Sequence, residues 1–580
     1  MRSGSSFAHP CAVCVMVLAC LLHTDSVRAG STVMDLNVRV KMRDGVNLST
    51  DIYRPETEGK YPVLLVRTPY LKGTGAVAED ALWWVARGYA YVVQDVRGRG
   101  DSDGVFYPIV NEALDGYDTQ TWAGQQRWST GRVGTLGSSY LGWTQVYTAS
   151  LNNPHLAAMI PTVTPPDPFR NIPYSHGALV PIMINWLAFL DGHVLQDISR
   201  IDAATLKTRP LVDLDRRVGR TLPVWHEWLA HPVLDEYWQA QSYQEKYLNS
   251  RVPGLHVSGW YDDVLVGTLE NFVNLTTRAA DATARKQQWL LVGPWGHHVN
   301  QSQKFGAIDF GADSLIDFRE LQARWFDHWL KGVDNGVERE PRVHIFVMGI
   351  NKWRDENEWP IARTQYVRYF LHSKGKANSV RGDGVLSTTN PGPSDGPDRY
   401  EYNPNDPVPF LTPPGFSQAG GPDDYREVEQ RHDVLVYTSA PWREPTLICG
   451  PLRVTLTAAS SARDTDWTAK ILDVHPDGFA QRLNDGVVKA RFRHSDTHEE
   501  FLTPGKAETY EIDAWATCIE MQPGHRLRLE ISSSAFPKFA PNMNTGEVAA
   551  TSTRSVVAEQ TVFHDSRRMS YLLVPIVPTP

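Results

Sequence analysis

Apolar and polar positions alternate with two different periods along the chain, and the changes of period divide it. Between Val38 and Val93, short β-branched and aromatic runs (Tyr61 to Val66, Tyr89 to Val93) flank a stretch with helical spacing from Ala76 to Arg87. Strand, helix and strand at that spacing predict a parallel sheet. After Pro165-Pro166 the strand alternation stops. Helix formers and the tryptophans Trp186, Trp225, Trp228 and Trp238 predict an inserted helical cap over 166–245. Sheet-like runs resume at Gly254 to Ser258 and at Gln288 to Val292, and both close in loops. From about Lys374 to Asp424 the chain is crowded with Pro, Gly, Asp and Asn, which reads as a long irregular linker. Beyond it, Leu452 to Leu456, Trp467 to Leu472, Val487 to Phe492 and Arg526 to Ile531 alternate with period two, the pattern of an antiparallel jelly-roll β-sandwich. The expected fold class is therefore α/β: an α/β domain from 33–165 and 246–363, the cap, and an all-β jelly-roll domain over 364–580. No internal repeat is present.

Composition supports several domains. A chain of 580 residues with 42% hydrophobic content exceeds what one core organises. The 57 basic and 66 acidic residues give a formal charge of -9, which offers no electrostatic reason to bind nucleic acid or an anionic membrane. Residues 1–29 combine Arg2, an apolar stretch from Cys11 to Leu22 and Val27-Arg28-Ala29, a secretory signal pattern. A lipoprotein signal, with Val17-Leu18-Ala19 before Cys20, is the alternative. Cleavage removes Arg2, Arg28 and Asp25, leaving the mature chain one unit more negative, with no apolar run long enough to span a bilayer. The expected location is secreted or periplasmic, with no membrane partner after cleavage; assembly of identical chains is left open. Cleavage also removes Cys11, Cys14 and Cys20. Cys449 and Cys518 remain, as a disulfide or as two separate buried thiols.

The chemistry centres on Gly137-Ser138-Ser139-Tyr140-Leu141-Gly142, between an apolar run and a helical segment. In an open α/β sheet, ligands bind beyond the carboxyl ends of the strands, and a tight strand-to-helix turn there presents one side chain. Ser139 sits at that apex; equally, a serine in a glycine-rich turn can serve only as a helix N-cap. Leu141 replaces the second glycine of the usual G-x-S-x-G, and Gly142 follows one position later. A serine hydroxyl needs a base, and the base needs a carboxylate. In the order serine, acid, histidine, the strand-closing loops Gly259-Trp260-Tyr261-Asp262-Asp263 and Gly293-Pro294-Trp295-Gly296-His297-His298 supply both.

These three motifs are similar to the signatures of the bacterial cocaine esterase-like (CocE/NonD) family of α/β-hydrolases, which is related to α-amino acid ester hydrolases, glutaryl-cephalosporin acylases and X-prolyl dipeptidyl aminopeptidases. Val66-Arg67-Thr68-Pro69-Tyr70, Asp95 to Ser102, Asp115-Gly116-Tyr117-Asp118, Phe346 to Gly349 and Gly524-His525-Arg526-Leu527 also resemble its landmarks, so the likeness covers nearly all of the chain after Thr32. The resemblance implies an α/β-hydrolase fold with Ser139 as nucleophile, His297 as base and Asp262 as its carboxylate. It places the oxyanion hole at the Tyr140 amide and the Tyr70 phenol. Asp263 is the alternative acid, His298 a bystander, and Arg97, Arg99 and Asp101 a structural loop. Cap aromatics Phe169, Tyr174, Trp186 and Phe189 are candidate walls of an acyl pocket; Asp167, Asp191 and Asp263 are candidates for holding a substrate amine. The expected activity is hydrolysis of a small-molecule ester or amide through an acyl-enzyme, with no metal or organic cofactor. An X-prolyl dipeptidyl aminopeptidase, an α-amino acid ester hydrolase or acylase, and an inert exported binding protein are the alternatives.

Overall fold

The computed structural model describes residues 31–199, 201–393, 395–412 and 420–578; the expected signal segment lies outside them. Ten strands form the first sheet: β1 (Thr32–Lys41), β2 (Asn47–Pro55), β3 (Tyr61–Thr68), β4 (Ala90–Asp95), β5 (Ser129–Ser138), β6 (Leu156–Thr162), β7 (Gly254–Gly259), β8 (Gln288–Gly293), β9 (Val343–Val347) and β10 (Lys352–Glu356). Their spatial order is β1-β2-β4-β3-β5-β6-β7-β8-β9-β10. Pairing is parallel from β4 through β9 and antiparallel at both edges. Period-two alternation in β3 explains why helices cover both faces. Leu64 and Val66 pack with Trp84 of α1 (Gly75–Val85) and with Phe326 of helix Phe318–Lys331, whereas Val63 and Leu65 pack with Ala123 of α2 (Glu112–Gly124).

The cap leaves the sheet after β6 and returns before β7. Its short helices, α4 (Met183–Phe189) among them, close over a core of Trp225, Trp228, Trp238, Leu187 and Leu214. The C-terminal β-rich domain forms an 11-stranded, mainly antiparallel sheet that starts at Gln365. The segment expected to be a linker contributes two of its strands, Val385–Ser387 and Asp398–Tyr402. The alternation of Asp398, Tyr400 and Tyr402 inward with Arg399 and Glu401 outward survives between the Pro-rich turns and pairs with Ala558–Phe563. Cys449 and Cys518 stand directly opposite one another on adjacent strands and form a disulfide.

The two domains share one apolar core. Trp260, Tyr261, Val343 and Ile345 from the first domain pack in the same cluster as Leu371, Ile448, Leu452 and Ile519 from the second. Met348 extends this contact with backbone hydrogen bonds, donating to Cys518 O at 3.0 Å and accepting from Glu520 N at 2.9 Å.

Candidate active site

Every candidate catalytic side chain leaves the carboxyl end of a parallel strand. β5 ends at Ser138 and the helix α3 (Tyr140–Ala149) starts one residue after Ser139, which takes φ 63° and ψ -121°. A non-glycine residue there carries about 1–3 kcal/mol of backbone strain. The strain persists because the turn is fixed on both sides: Ser139 N donates to Thr162 O at 2.9 Å, while Gly142 N donates back to Ser139 O at 2.8 Å. Crowding around the turn explains the unusual glycine spacing. A Cβ at Gly137 lands 2.5 Å from the Leu141 Cβ, and one at Gly142 lands 2.3 Å from Thr164 Oγ1, so the glycines stand where Leu141 and the segment just after β6 leave no room for a side chain.

Asp262 and His297 come from neighbouring strands in matched register, Gly259 of β7 lying opposite Gly293 of β8. Their loops are bonded to each other, since Trp260 N donates to Gly293 O (2.9 Å) and Tyr261 N to Trp295 O (3.0 Å). His297 Nδ1 contacts Asp262 Oδ1 at 2.8 Å and Asp263 Oδ1 at 2.9 Å. Asp262 is fully buried and also accepts from Ser258 Oγ at 2.6 Å and from Val264 N at 3.2 Å. With Nδ1–H given to Asp262 and the Asp263 carboxylate beside it, Nε2 is the nitrogen left for proton transfer. Burial acts to lower the pKa of His297, but the Asp263 and Asp262 carboxylates overcome it and hold the imidazole well above its ordinary range. Burial pushes Asp262 upward, opposed chiefly by the hydrogen bond from His297.

Tyr70 follows β3 and faces the same cavity as Ser139. Its oxygen accepts the Trp186 indole N–H at 3.0 Å, which leaves its own proton for another acceptor. Burial raises its pKa, which keeps the phenol protonated and a donor. The Tyr140 amide lies at the first position of α3, where helical N–H groups lack intrahelical acceptors. The Tyr140 ring is locked from behind: its hydroxyl donates to Glu112 Oε1 (2.7 Å) and accepts from Ile109 N (2.8 Å), with Arg67 paired to Glu112 at 2.6 Å.

Ser139, Tyr70, Tyr140, Asp263 and His297 line one cavity of about 1070 Å³. Of the proposed walls, Trp186 and Phe189 face it, with Met183 on the same side of α4. Phe169 and Tyr174 do not. Both are buried in the cap core against Trp238, and the Tyr174 hydroxyl donates to Trp228 O. Asp167 instead receives Tyr243 N and Gln244 N, and Asp191 pairs with Arg220, so neither lines the cavity. His298 is exposed and lines its mouth.

Three contacts were not anticipated from the sequence. Asp263 touches the imidazole beside Asp262 instead of replacing it. Trp186 acts through its N–H as well as its ring. Arg99 ties the site to the cap: fully buried, it donates to Pro69 O (2.9 Å), just before Tyr70, and to Leu190 O (2.5 Å) and Gly192 O beyond the end of α4. A cation satisfying carbonyls at a helix C-terminus is also favoured by the helix dipole. Arg97 and Asp101 are structural as expected, paired with Asp115 and Lys72.

Residues 44–299 match the X-Pro dipeptidyl-peptidase (S15 family) domain, and 335–573 match the X-Pro dipeptidyl-peptidase C-terminal non-catalytic domain. Cocaine esterase from Rhodococcus sp. (strain MB1 Bresler) is 35% identical over 578 residues, spanning 93% of this chain and 98% of that protein. The chain belongs to the S15 family. This S15-family serine hydrolase is also similar to two solved structures at 25% identity and TM-score 0.84, each match covering 96% of this chain and 98% of the other. One is an aminopeptidase from the marine sediment archaeon Thaumarchaeota archaeon, the other an α-amino acid ester hydrolase labelled with selenomethionine.

Proposed function

We propose that this S15-family enzyme hydrolyses a small-molecule ester with a bulky apolar group, through an acyl-enzyme on Ser139. His297 takes the Ser139 proton through Nε2 as the hydroxyl attacks the carbonyl carbon. Asp262 holds the imidazole in the required tautomer and balances its positive charge. The Tyr70 O–H and the Tyr140 N–H receive the oxyanion, and collapse of the tetrahedral species expels the alcohol with the proton returned by His297. Water then repeats the sequence on the acyl-enzyme and frees the acid.

The observation that carries the ester reading is the carboxylate content of the cavity. Among the described residues lining it, the carboxylates are Asp80 and Asp263. Asp80 is paired with Arg319 and Asp263 with His297, whereas a substrate α-ammonium needs acidic partners of its own. The apolar faces of Trp186, Phe189, Met183 and Trp143 suit an aryl or branched aliphatic group instead. The likeness to cocaine esterase over nearly the whole chain supports the same reading. The signal pattern in residues 1–29 supports export, and the alternating strands beyond Gln365 support a jelly-roll arrangement of the C-terminal domain.

The test compares p-nitrophenyl esters of benzoate and branched acids with Gly-Pro-p-nitroanilide and an α-amino acid p-nitrophenyl ester, with fluorophosphonate labelling as the check on Ser139. Faster turnover of the aryl and branched esters is expected, with labelling lost in Ser139→Ala. A dominant preference for the anilide or the α-amino substrate rules out the ester reading, and absence of labelling in folded wild type rules out the serine mechanism.

A further inference from the structure

A second cluster of ligating side chains lies in the C-terminal domain. The hairpin joining Asp466–Val474 to Ala480–Lys489 carries Asp473 at the next-to-last position of its first strand and His475 just beyond that strand. Strand Arg526–Ser532 pairs beside it, Val474 opposite Arg526, which brings His525 alongside. His525 Nδ1 lies 2.9 Å from both Asp473 oxygens, and His475 Nε2 lies 3.6 Å from Asp473 Oδ2. The two imidazoles face each other with centroids 4.4 Å apart, and Asp473 is buried.

We propose that Asp473, His475 and His525 form a site for a transition-metal dication, with zinc the best fit. Tetrahedral zinc with ligand bonds of about 2.0–2.1 Å needs donor atoms roughly 3.3 Å apart; the two Asp473–imidazole separations bracket that spacing, and all three donors lie within 4.8 Å of one another. Two imidazoles, which are borderline donors, beside a single carboxylate suit zinc and disfavour magnesium or calcium, which prefer all-oxygen shells. The backbone is already set. His475 N donates to Phe479 O and Gly478 N to His475 O within the hairpin turn, while His525 O accepts from Trp442 N. Gln481 Oε1, 3.1 Å from His475 Nε2, is positioned for the fourth place, or a water fills it. Binding takes the ring nitrogens that now face Asp473 and Gln481, so each neutral imidazole carries its one proton on its other nitrogen.

Such an ion pins the hairpin beneath the active site. The Gln481 amide N–H donates to the Tyr261 hydroxyl at 3.1 Å, and Tyr261 directly precedes Asp262. Metal occupancy therefore stiffens the support of the catalytic acid without contacting substrate.

The test is zinc titration of untagged, chelator-stripped full-length protein by calorimetry and equilibrium dialysis, against His475→Phe and His525→Gln. Because Asp262, Asp263 and His297 also cluster, the readout is the difference between wild type and these variants, both of which leave that cluster intact. Wild type should bind one equivalent more, and loss of either imidazole should weaken that equivalent by at least about a hundredfold, the upper end of what a supporting residue alone costs. Zinc should raise the melting temperature of wild type more than that of either variant. Equal stoichiometry and affinity in all three, or no uptake by wild type at millimolar zinc, overturns the proposal and leaves a plain His–Asp hydrogen bond. If either variant fails to fold, anomalous diffraction at the zinc edge from soaked wild-type crystals decides, absence of a peak among the three residues counting against it.

Discussion

Replacing Asp263 with Asn should shift the acid limb of the pH–rate profile to lower pH. Catalysis requires neutral His297, so kcat/KM rises with pH through the pKa of the imidazole, and any carboxylate that stabilises imidazolium moves that rise upward. Asp263 is one of two doing so, 2.9 Å from Nδ1. Two unit charges about 4 Å apart interact by about 1 kcal/mol in water and about 4 kcal/mol at an effective dielectric of 20. Asp263 and His297 are 12% and 21% exposed and face a cavity, which places the pair between those limits. At about 1.36 kcal/mol per pKa unit, removing the charge lowers the limb by roughly one to three units. Because the three groups titrate together, the shift belongs to the cluster and not to His297 alone. The assay is kcat/KM for a p-nitrophenyl ester from acid to neutral pH, with Asp262→Asn alongside. Asp263→Asn should keep most of its plateau rate and gain relative activity on the acid side, while Asp262→Asn should lose about four orders of magnitude. An acid limb that stays in place or moves upward in Asp263→Asn refutes the argument that this charge holds the imidazole.

Ser139→Ala and Ser139→Gly should each lower turnover by about a millionfold. The glycine variant should be more stable to urea than the alanine by about 1–2 kcal/mol, because it releases the strain at φ 63°. Tyr70→Phe should cost about a hundred- to a thousandfold in kcat with little change in KM, measured by steady-state kinetics. A Cβ at Gly259 falls 2.1 Å from Trp295 O, so Gly259→Ala forces the acid and base loops apart and should cost about a hundredfold in kcat/KM. The Cys449–Cys518 bridge closes 69 residues, and replacing both cysteines with serine should cost about 4 kcal/mol in denaturant unfolding by the chain-entropy account.

Legibility of the site followed how local its determinants are. Asp262 and His297 were readable because each follows an apolar strand by a few residues, and the strand-end rule needs no knowledge of packing. Aromatics in the cap carry no such mark: Phe169 and Tyr174 have the same composition signal as Trp186 and Phe189, and only the fold decides that the first two fill the cap core. The roles of Asp263 and Trp186 depend on an ion pair and a hydrogen bond reached across 34 and 116 positions, beyond any periodicity. Pairing of Cys449 with Cys518 needed strand register, which alternation alone leaves free. Proline and glycine hid the strand Asp398–Tyr402, since turn residues on either side outweighed five alternating positions.

Tyr261 donates its backbone N–H to one catalytic loop, packs its ring in the shared core and accepts at its hydroxyl from the Gln481 amide of the β-rich domain. The residue that orients the base thus takes its footing from sequence more than two hundred positions downstream. Cutting the chain before Gln365 would strip Trp260, Tyr261 and Val343 of their apolar cover from the second domain and Tyr261 of its bond from Gln481, leaving Asp262 only the braces of its own domain. Grafting a foreign β-module would need to recreate that underside before it restored any turnover. In engineering terms, the S15 hydrolase half is not a cassette, because the loop that carries its acid rests on the β-rich domain.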